Sequence, residues 1–400
     1  MALFLRSPNT PASIRWGLPT KDKNASFGHH LAGGRAMRPD KPFTVLQMYV
    51  VLMLSVGISN HVILTPVLLG IAKRDAWVGA VAATVPTALW AVALVAAIRR
   101  TGNGSLADWI KERCGRFVRG VILVPFAAYL FVTAWVSLTD TVTWAQVSYL
   151  PRTPRIVIVL FFMTVCFFAV KAGIRAIAIT SGLLLPGVVL LGDMVATANL
   201  KYKDYTLLLP LFTHGYGPAL KAMAYTCGSL FELVVILLMK HRLSTRIRIG
   251  GMTAFVVLLI GLTVGPVTGA ISMFGPFEAA EQRYPAFEQW RMVTMGKFIS
   301  HLDFFSIYQW IAGSFVRVSL LLLLLSETMA GDGAGKRTWL SAGLCALLAA
   351  GTLLPLNDAA LMAVIVHGYY PSALVFAACL PILLLALSLL PARRKEGTTP

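Results

Sequence analysis

Charged residues are scarce in this sequence. Of its 400 residues only 13% are Asp, Glu, Lys or Arg, whereas about 25% is usual in a globular protein, and 57% are hydrophobic. Little of the chain can therefore face water, which excludes an ordinary soluble protein. The charges are also unbalanced, because 35 basic and 17 acidic residues give a net charge of +18. Such an excess is typical of nucleic-acid binding, of contact with an anionic membrane surface or of a topology signal, and the positions of the basic residues decide between them.

Cysteine pairs and metal-binding motifs are lacking too. The five cysteines are scattered, odd in number and mostly inside apolar stretches, without a CxxC pair, so they are predicted to be small core residues. The seven histidines show no HExxH or other ligand spacing. We therefore expect neither a bound metal nor a cofactor.

The first 42 residues contain no apolar run of even seven residues, which excludes a secretory signal peptide there. They hold seven basic residues against two acidic ones, mixed with Pro, Gly and Ser. This composition predicts a disordered basic tail over residues 1–42. Met37 stands just before the first apolar segment, so residues 1–36 are expected to be an extension that the fold does not need.

Long apolar segments recur along the rest of the chain. A helix needs about 20 apolar residues to cross the hydrocarbon core of a bilayer, and the sequence contains ten such segments. They predict an all-α integral membrane protein whose membrane domain covers residues 43–395. The ten predicted spans are 44–71, 76–98, 117–147, 155–171, 175–198, 217–240, 248–274, 304–326, 338–356 and 370–391.

Basic residues flank these spans unevenly. With the N-terminus inside, 24 of the 35 Lys and Arg residues fall on the cytoplasmic side and ten on the other, while Arg317 lies within a span. Cytoplasmic loops retain Lys and Arg, so both termini are predicted to be cytoplasmic. The largest loop on the opposite side, 275–303, leans acidic. The charge of +18 is therefore interpreted as a topology signal rather than as the mark of a nucleic-acid partner.

No loop outside the predicted spans exceeds about 30 residues, which is too short to fold as a catalytic domain. Any chemistry must sit between helices, and we do not expect an enzyme. Two stretches resemble nucleotide-binding motifs, but their position or composition argues against that function. The GxGxxA match at 102–107 follows a membrane helix rather than a strand. The stretch 331–337 resembles a phosphate loop, but it has one residue too few and ends on Arg337 where Ser or Thr belongs.

Glycines and polar residues interrupt two spans at corresponding places, about 171 residues apart. They are Gly57, Ile58, Ser59 and Asn60 in the first span, and Cys227, Gly228, Ser229 and Glu232 in the sixth. Unwound backbone at membrane depth persists only where it lines a cavity or is buried in protein, and paired interruptions in two halves indicate a transporter-type site. We therefore predict two inverted five-helix repeats, 43–199 and 215–392, with a ligand site at broken helices 1 and 6. The alternative is that Gly57 and Gly228 only allow close helix packing.

Four ionisable residues lie inside spans, where each costs about 2.5 to 3.5 kcal/mol at mid-helix on insertion scales. They are Asp140, Asp193, Glu232 and Arg317. Arg317 is nearest the middle of its span and needs a buried anion, for which Glu232 is the best candidate. This pair is expected either to line a ligand cavity or proton relay, or to be a structural ion pair that locks spans 6 and 8. Asp193 and Asp140, also candidate buried charges, lie nearer the outer ends of their spans, where a structural role is favoured.

Several stretches carry a resemblance to a known family when they are taken in order. They are Gly57 and Pro66 followed by Asp75–Trp77, the turns Leu150–Pro154 and Ala169–Gly173, and the run from Tyr284 and Pro285 through Arg291, Gly296, Phe298 and Asp303 to Trp310–Ser319. In this arrangement the chain resembles the endospore germination permeases, the B subunits of spore germinant receptors, over roughly residues 40–395. The resemblance places it in the amino acid/polyamine/organocation transporter superfamily and implies a LeuT-like fold.

The sequence departs from this family at two places. The family typically has Lys where this chain has Arg317, which keeps the charge. It commonly has Gly directly before the acid of span 6, whereas here Phe231 precedes Glu232 and Gly228 lies four residues back. The form of the interruption in span 6 is therefore expected to differ.

The resemblance implies a receptor subunit of the spore inner membrane that senses a small nutrient, such as an amino acid, and works with an A subunit and a lipoprotein C subunit. A half-helix N-terminus at an unwound segment would suit a carboxylate. The alternative is a proton-coupled amino-acid permease in which Glu232 or Asp193 cycles its proton. Fold alone does not separate the two, because function depends on the site.

Overall fold

The computed structural model describes residues 43–294, 302–330 and 334–391, and within these ranges the protein is built from helices. The predicted tail, 1–42, and the motif residues Gly296 and Phe298 lie outside the described residues. An isolated bridge between Phe43 and Leu243 is the β-structure in the described ranges. An all-α fold is thus confirmed.

Sixteen α-helices follow one another along the described chain. They are α1 Val45–Ile58, α2 Leu64–Ala72, α3 Ala76–Ala82, α4 Thr84–Arg100, α5 Leu106–Ser148, α6 Arg155–Ala172, α7 Ile174–Ala198, α8 Gly217–Leu230, α9 Ile236–Met239, α10 Ile249–Phe274, α11 Glu278–Glu281, α12 Pro285–Arg291, α13 Phe305–Ala330, α14 Ala334–Leu353, α15 Asp358–Ala363 and α16 Tyr370–Leu389. Several pairs are joined by π or 3-10 turns without leaving the helical path.

Eight described segments are long and apolar enough to cross a membrane. The first of them, Val45–Arg100, contains a 3-10 turn at Lys73–Asp75, where Lys73 has a φ of 46°, so it covers two predicted spans. Helix α14 has 20 residues and fits the ninth predicted span, but its charged first turn lowers its hydropathy. A helix therefore occupies each of the ten predicted spans.

Helix α5 begins eleven residues before the span predicted at 117. Gly115 adopts a φ of 91°, which an L-residue with a side chain rarely takes, and this separates a short N-terminal piece from the spanning part. The N-terminal piece is anchored by Arg113, whose Nε donates to the carbonyl of Leu387 at 2.8 Å, near the end of α16. Basic groups at a helix C-terminus satisfy its free carbonyls.

The turns between helices collect on two opposite faces. One, here called the far face, joins the turn after α2 to the stretch 199–216, because Arg74 Nε donates to Leu207 O at 3.0 Å and Phe212 N donates to Asp75 Oδ1 at 3.0 Å. On the same face Tyr149 Oη, at the end of α5, donates to Asp303 O at 2.7 Å.

The opposite, near face has its own contacts. Lys240 Nζ, at the end of span 6, donates to the carbonyls of Thr101 and Gly102 after α4, at 3.0 and 2.7 Å. Glu327 accepts from Arg242 at 2.7 Å and from Arg337 at 3.3 Å. Successive spans thus begin and end on alternating faces, as a chain threaded through a membrane requires, while the assignment of the near face to the cytoplasm stays a prediction from the charges.

Helix α13 lies at the centre of the bundle. It packs on α1, α5, α6, α7 and α14, and its most apolar stretch is 72% buried inside the protein. Span 6, formed by α8 and α9, is as enclosed, at 78%. By contrast only 17% of the corresponding stretch around α7 is buried. The two spans that carry Glu232 and Arg317 are therefore the most enclosed.

The close approach of α3 and α8 depends on Gly79. A Cβ atom placed there would lie 2.5 Å from the carbonyl oxygen of Ala219 and 2.5 Å from the Cβ of Ala222. Backbone cannot move aside as a flexible side chain does, so α3 and α8 would have to separate.

We expect Gly79→Ala to destabilise the bundle by about 1 to 3 kcal/mol, the usual range for overpacking. Gly70→Ala is the matched control, because Gly70 is an exposed helical glycine with no atom within 4 Å of an added Cβ. That change should be neutral or stabilise by up to about 1 kcal/mol through helix propensity. Thermal melting of the purified protein in detergent measures both, and equal melting temperatures for the two variants would contradict the close approach.

Candidate functional site

A buried ion pair lies at the centre of the bundle. Arg317 Nη1 and Nη2 donate to Glu232 Oε1 and Oε2, each at 2.6 Å, and both side chains are 1% exposed. Arg317 also donates from Nε to Ser137 Oγ at 2.6 Å, from Nη1 to the carbonyl of Ser55 at 2.8 Å and from Nη2 to Tyr369 Oη at 3.4 Å. One guanidinium therefore bonds to four other spans.

The two parallel hydrogen bonds between the guanidinium and the carboxylate explain why these two charges are stable inside the bundle. A guanidinium and a carboxylate that share two parallel hydrogen bonds are among the strongest polar pairs in proteins. Removing both ions from water is costly, and their attraction compensates only when the remaining donors are also satisfied. Hydrogen bonds to Ser137, Ser55 and Tyr369 satisfy the remaining N–H donors of Arg317. Glu232 is thus confirmed as the partner of Arg317 that the sequence indicated.

A second polar contact joins span 1 directly to span 6. Ser229 Oγ donates to Asn60 Oδ1, and both residues are buried. The hydroxyl of Tyr370 lies against Ser59 and Ser229. Three buried polar atoms here have no hydrogen-bond partner among the described residues: Ser59 Oγ, Asn60 Nδ2 and Tyr370 Oη. Such groups are rare in native interiors, and a water or a ligand that offers donors and acceptors would satisfy them.

The helix interruptions take another form than the predicted unwinding. Gly57 and Gly228 lie within regular α-helix, and the irregular segments follow them, as a π-turn at Ser59–Ile63 and a 3-10 stretch at Phe231–Val235. The hydroxyl of Thr65, at the start of α2, donates to the carbonyl of His61 in the π-turn at 2.9 Å, which satisfies a backbone group that the altered winding frees. The chain thus stays helical through both places.

The two glycines allow close packing instead. A Cβ on Gly57 would meet Leu262 Cδ2 at 2.8 Å, and one on Gly228 would meet the carbonyl oxygen of Tyr370 at 3.1 Å. Gly228 therefore lets the last span approach span 6, which places Tyr370 beside Ser229. Close packing at the glycines is compatible with a polar site, because the close approach of the helices at Gly228 brings the polar side chains together.

The side chains of two other predicted site residues, Ile58 and Cys227, do not take part in this contact. Ile58 packs against Gly313 of α13, where an added Cβ would lie 2.7 Å from the Ile58 Cβ. Cys227 Sγ accepts from Thr87 Oγ1 of α4 at 3.6 Å. Their side chains contribute to helix packing, and among the predicted residues Ser59, Asn60 and Ser229 form the polar contact.

Asp140 is buried, as predicted, but it belongs to a separate cluster near the far face. Arg283 Nη2 donates to Asp140 Oδ1 at 2.6 Å, and Arg283 Nε donates to both carboxylate oxygens of Asp358 at 2.9 Å. Burial lowers the pKa of the Arg283 guanidinium, but the negative charge of Asp140 and, less strongly, of Asp358 raises it above its ordinary value. Arg283 therefore stays charged and ties the loop after α10 to α5 and α15.

The expectation of a buried charge at Asp193 is wrong. The Asp193 side chain is exposed on the outer surface of α7, the least enclosed of the spans. Asp193 precedes the buried Val195 by two positions, which is about 200° around an α-helix, so it faces away from α1 and α13. Its position rules out contact with Arg317 or Glu232.

Sequence reasoning missed the tyrosines of the last span and the serines around Arg317. Tyr369 and Tyr370 are adjacent, and the Tyr369 hydroxyl accepts from Arg317 while the Tyr370 hydroxyl lies near Ser59 and Ser229 without a hydrogen bond to either. Two neighbouring tyrosines at the edge of an apolar segment were an available signal. Ser55 and Ser137 gave none, because serines at mid-helix usually bond to their own backbone.

Fold and site together define a polytopic helical membrane protein whose centre is an ion pair enclosed by several spans. A family model described as "Spore germination protein" matches residues 42–330. The chain belongs to this family, the spore germination permeases.

Two curated relatives agree with that assignment. The chain is 36% identical over 325 residues to "Spore germination protein XB" of Bacillus anthracis, a match that covers 81% of this chain and 91% of the relative. It is 23% identical over 201 residues to "Spore germination protein GerQB" of Bacillus cereus, covering 49% of this chain and 53% of that protein. Both names concern germination, and the family is one of membrane permease-like proteins rather than of catalysts.

We expect Arg317→Gln to destabilise the protein by about 3 to 5 kcal/mol, because it leaves the Glu232 carboxylate buried without a partner. The double variant with Glu232→Gln should recover part of that loss, since no buried charge remains. The exposed pair of Arg291 and Glu288 is the matched control, and Arg291→Gln should change stability by at most about 1 kcal/mol. Melting in detergent reports these three variants and the single Glu232→Gln variant, and a double variant that loses the sum of the two single losses would contradict the coupling.

Proposed function

We propose that the protein is the nutrient-sensing subunit of a spore germinant receptor, with a small ligand, an amino acid in the first instance, held between spans 1 and 6. The observation that carries this proposal is the contact of Asn60 with Ser229, where Ser59 Oγ, Asn60 Nδ2 and Tyr370 Oη have no hydrogen-bond partner among the described residues. A ligand with both donors and acceptors would satisfy them. The proposed site consists of Ser59, Asn60, Ser229 and Tyr370, with Gly228 allowing the last span to approach and Gly57 allowing α1 to pack against Leu262 of α10 beside it.

The charges nearby favour a ligand without net charge. Glu232 and Arg317 occupy each other through two hydrogen bonds, so neither charge is free to neutralise a ligand ion. A net charge brought into this enclosed place would stay uncompensated and cost several kcal/mol. A zwitterionic amino acid carries its own balance, and the amide, hydroxyl and phenol groups present can bond to its ammonium and carboxylate.

The same contacts offer a way for ligand binding to act on the bundle. Ser55, whose carbonyl accepts from Arg317, precedes Ser59 by one helical turn, and Tyr369 links the same guanidinium to the last span. A ligand that binds one arrangement of spans 1 and 6 more tightly than another shifts the population between them. The germinant-receptor A subunit and the lipoprotein C subunit are the proposed recipients of that shift, in the spore inner membrane with both termini cytoplasmic.

Among the twenty L-amino acids, tested singly, we expect at least one to raise the melting temperature of the protein. Stabilisation reaches about 2.7 kcal/mol when the ligand is at a hundred times its Kd. Asn60→Leu, Gly57→Leu and Ser229→Trp should each abolish this increase. Asn357→Ala is the control, because Asn357 caps α15 on the far face and should lose only about 1 kcal/mol of stability while keeping the response. An unchanged dose response in Asn60→Leu and Ser229→Trp would end the assignment of the site.

Net transport is the alternative, and it needs Glu232 to exchange a proton. Both Glu232 oxygens accept from Arg317, so the pair would have to separate in every cycle. For a sensor we expect no accumulation of the stabilising amino acid in proteoliposomes under an imposed pH gradient. Accumulation that disappears in Glu232→Gln but persists in Asp193→Asn, an exposed carboxylate, would establish the permease instead.

A further inference from the structure

A pocket of about 490 Å³ opens near the far face between three spans. It is lined by Ile71 at the end of α2, by the first turns of α8, and by the π-turn Val364–Tyr369 that precedes α16. These are the spans that supply Asn60, Ser229 and Tyr370 to the proposed site. The pocket and the site are thus built from the same three elements at different depths.

Helix α8 leads from one to the other along a single face. Lys221 and Tyr225 line the pocket, and Ser229 follows at the same four-residue spacing, which puts the three side chains above one another on a helix. At 1.5 Å per residue, Lys221 and Ser229 are about 12 Å apart along the axis. That is roughly two fifths of a bilayer core, so the proposed site lies within reach of the pocket.

Tyr225 closes the inner end of the pocket. Its hydroxyl donates to the carbonyl of Val366 at 2.9 Å, which bridges α8 and the π-turn. Its ring contacts Tyr370 with the ring centroids 5.9 Å apart, and the Tyr370 hydroxyl lies against Ser59 and Ser229. Tyr225 therefore stands between the pocket and the polar contact of Asn60 with Ser229.

Among the described residues that line the pocket, Lys221 carries the one formal charge at neutral pH. Lys221 and His367 are exposed, and no acidic residue lines it. Lys221 is positive at neutral pH, and His367 adds a hydrogen bond donor. A wet recess lined by one sign of charge concentrates ligands of the opposite sign.

We propose that this pocket is the entrance to the ligand site. Lys221 and His367 attract the carboxylate of the incoming ligand, and the Tyr225 side chain must move to another rotamer before the ligand can pass. The proposal rests on the proposed function for its destination. It narrows the ligand to compounds with a carboxylate, because a neutral sugar gains nothing from a positive entrance.

Cysteine modification tests the entrance without any ligand, so its outcome is independent of whether an amino acid is sensed. In the full-length protein with its five cysteines replaced by alanine, Ile71→Cys places a thiol in the pocket. Its rates with anionic sulfonatoethyl and cationic trimethylammonioethyl methanethiosulfonate are compared at low ionic strength. We expect Lys221→Gln to lower the anionic-to-cationic rate ratio about fivefold, from the loss of one nearby charge. Lys201→Gln, on the same face but bonded to Thr294, is the control and should leave the ratio unchanged.

The proposed role of Tyr225 is tested in the same cysteine-free background with Ser229→Cys. We expect the sulfonatoethyl reagent to react at least tenfold faster when Tyr225→Ala is added, and to an intermediate degree with Tyr225→Phe, which removes only the hydrogen bond. Tyr205→Ala, an exposed tyrosine outside the pocket, should have no effect. Size-exclusion elution and melting exclude general loosening as the cause. An unaltered Ser229→Cys rate in a folded Tyr225→Ala variant, or an unaltered charge ratio in Lys221→Gln, overturns the proposal even if an amino acid stabilises the wild-type protein.

Discussion

The bidentate pair of Arg317 and Glu232 is the constraint around which the bundle is arranged. Two opposite charges with 1% exposure each have to be paired, and the guanidinium needs partners for its other N–H groups as well. Those partners come from the backbone of span 1, from α5 and from the last span. Five spans are therefore fixed relative to one another by a single side chain, which explains why α13 occupies the centre.

This arrangement also determines what kind of ligand and what kind of motion the centre permits. Because the charges are already matched, a ligand at the proposed site beside Ser59 and Asn60 would meet dipoles rather than net charge. Because the Ser55 carbonyl is bonded to Arg317, a displacement of span 1 near Ser59 changes the length of a hydrogen bond to the ion pair one turn away. Hydrogen bonds to charged groups contribute about 1.5 to 3 kcal/mol. Coupling of that size is enough to shift a two-state equilibrium more than tenfold.

Much of the fold could be predicted from hydropathy, because the membrane requires about 20 apolar residues per helix and leaves few other choices. The partner of Arg317 was predictable for the same reason, since a buried cation needs a buried anion. The exposure of Asp193 was not, because α7 is apolar on most of its surface and lipid-facing and protein-facing sides look alike. The π-turn at Ser59–Ile63 and the 3-10 stretch at Phe231–Val235 could not be predicted either, because a glycine such as Gly57 is consistent both with a broken helix and with close packing.

The two faces of the bundle differ in what holds them closed. On the far face Asp140 is 1% exposed and accepts from Arg283, so opening the bundle there by separating that pair would strand a buried carboxylate. Between α8 and the π-turn of the last span, by contrast, the closing contact is the neutral hydrogen bond from Tyr225 to Val366, worth about 1 kcal/mol. The near face is tied by Glu327 with Arg242 and Arg337, all partly exposed, and by the buried Lys240 ammonium, which donates to the carbonyls of Thr101 and Gly102. On the proposed route, access to the centre is therefore easiest beside Tyr225, because Arg283 holds the neighbouring part of the far face closed with charged contacts.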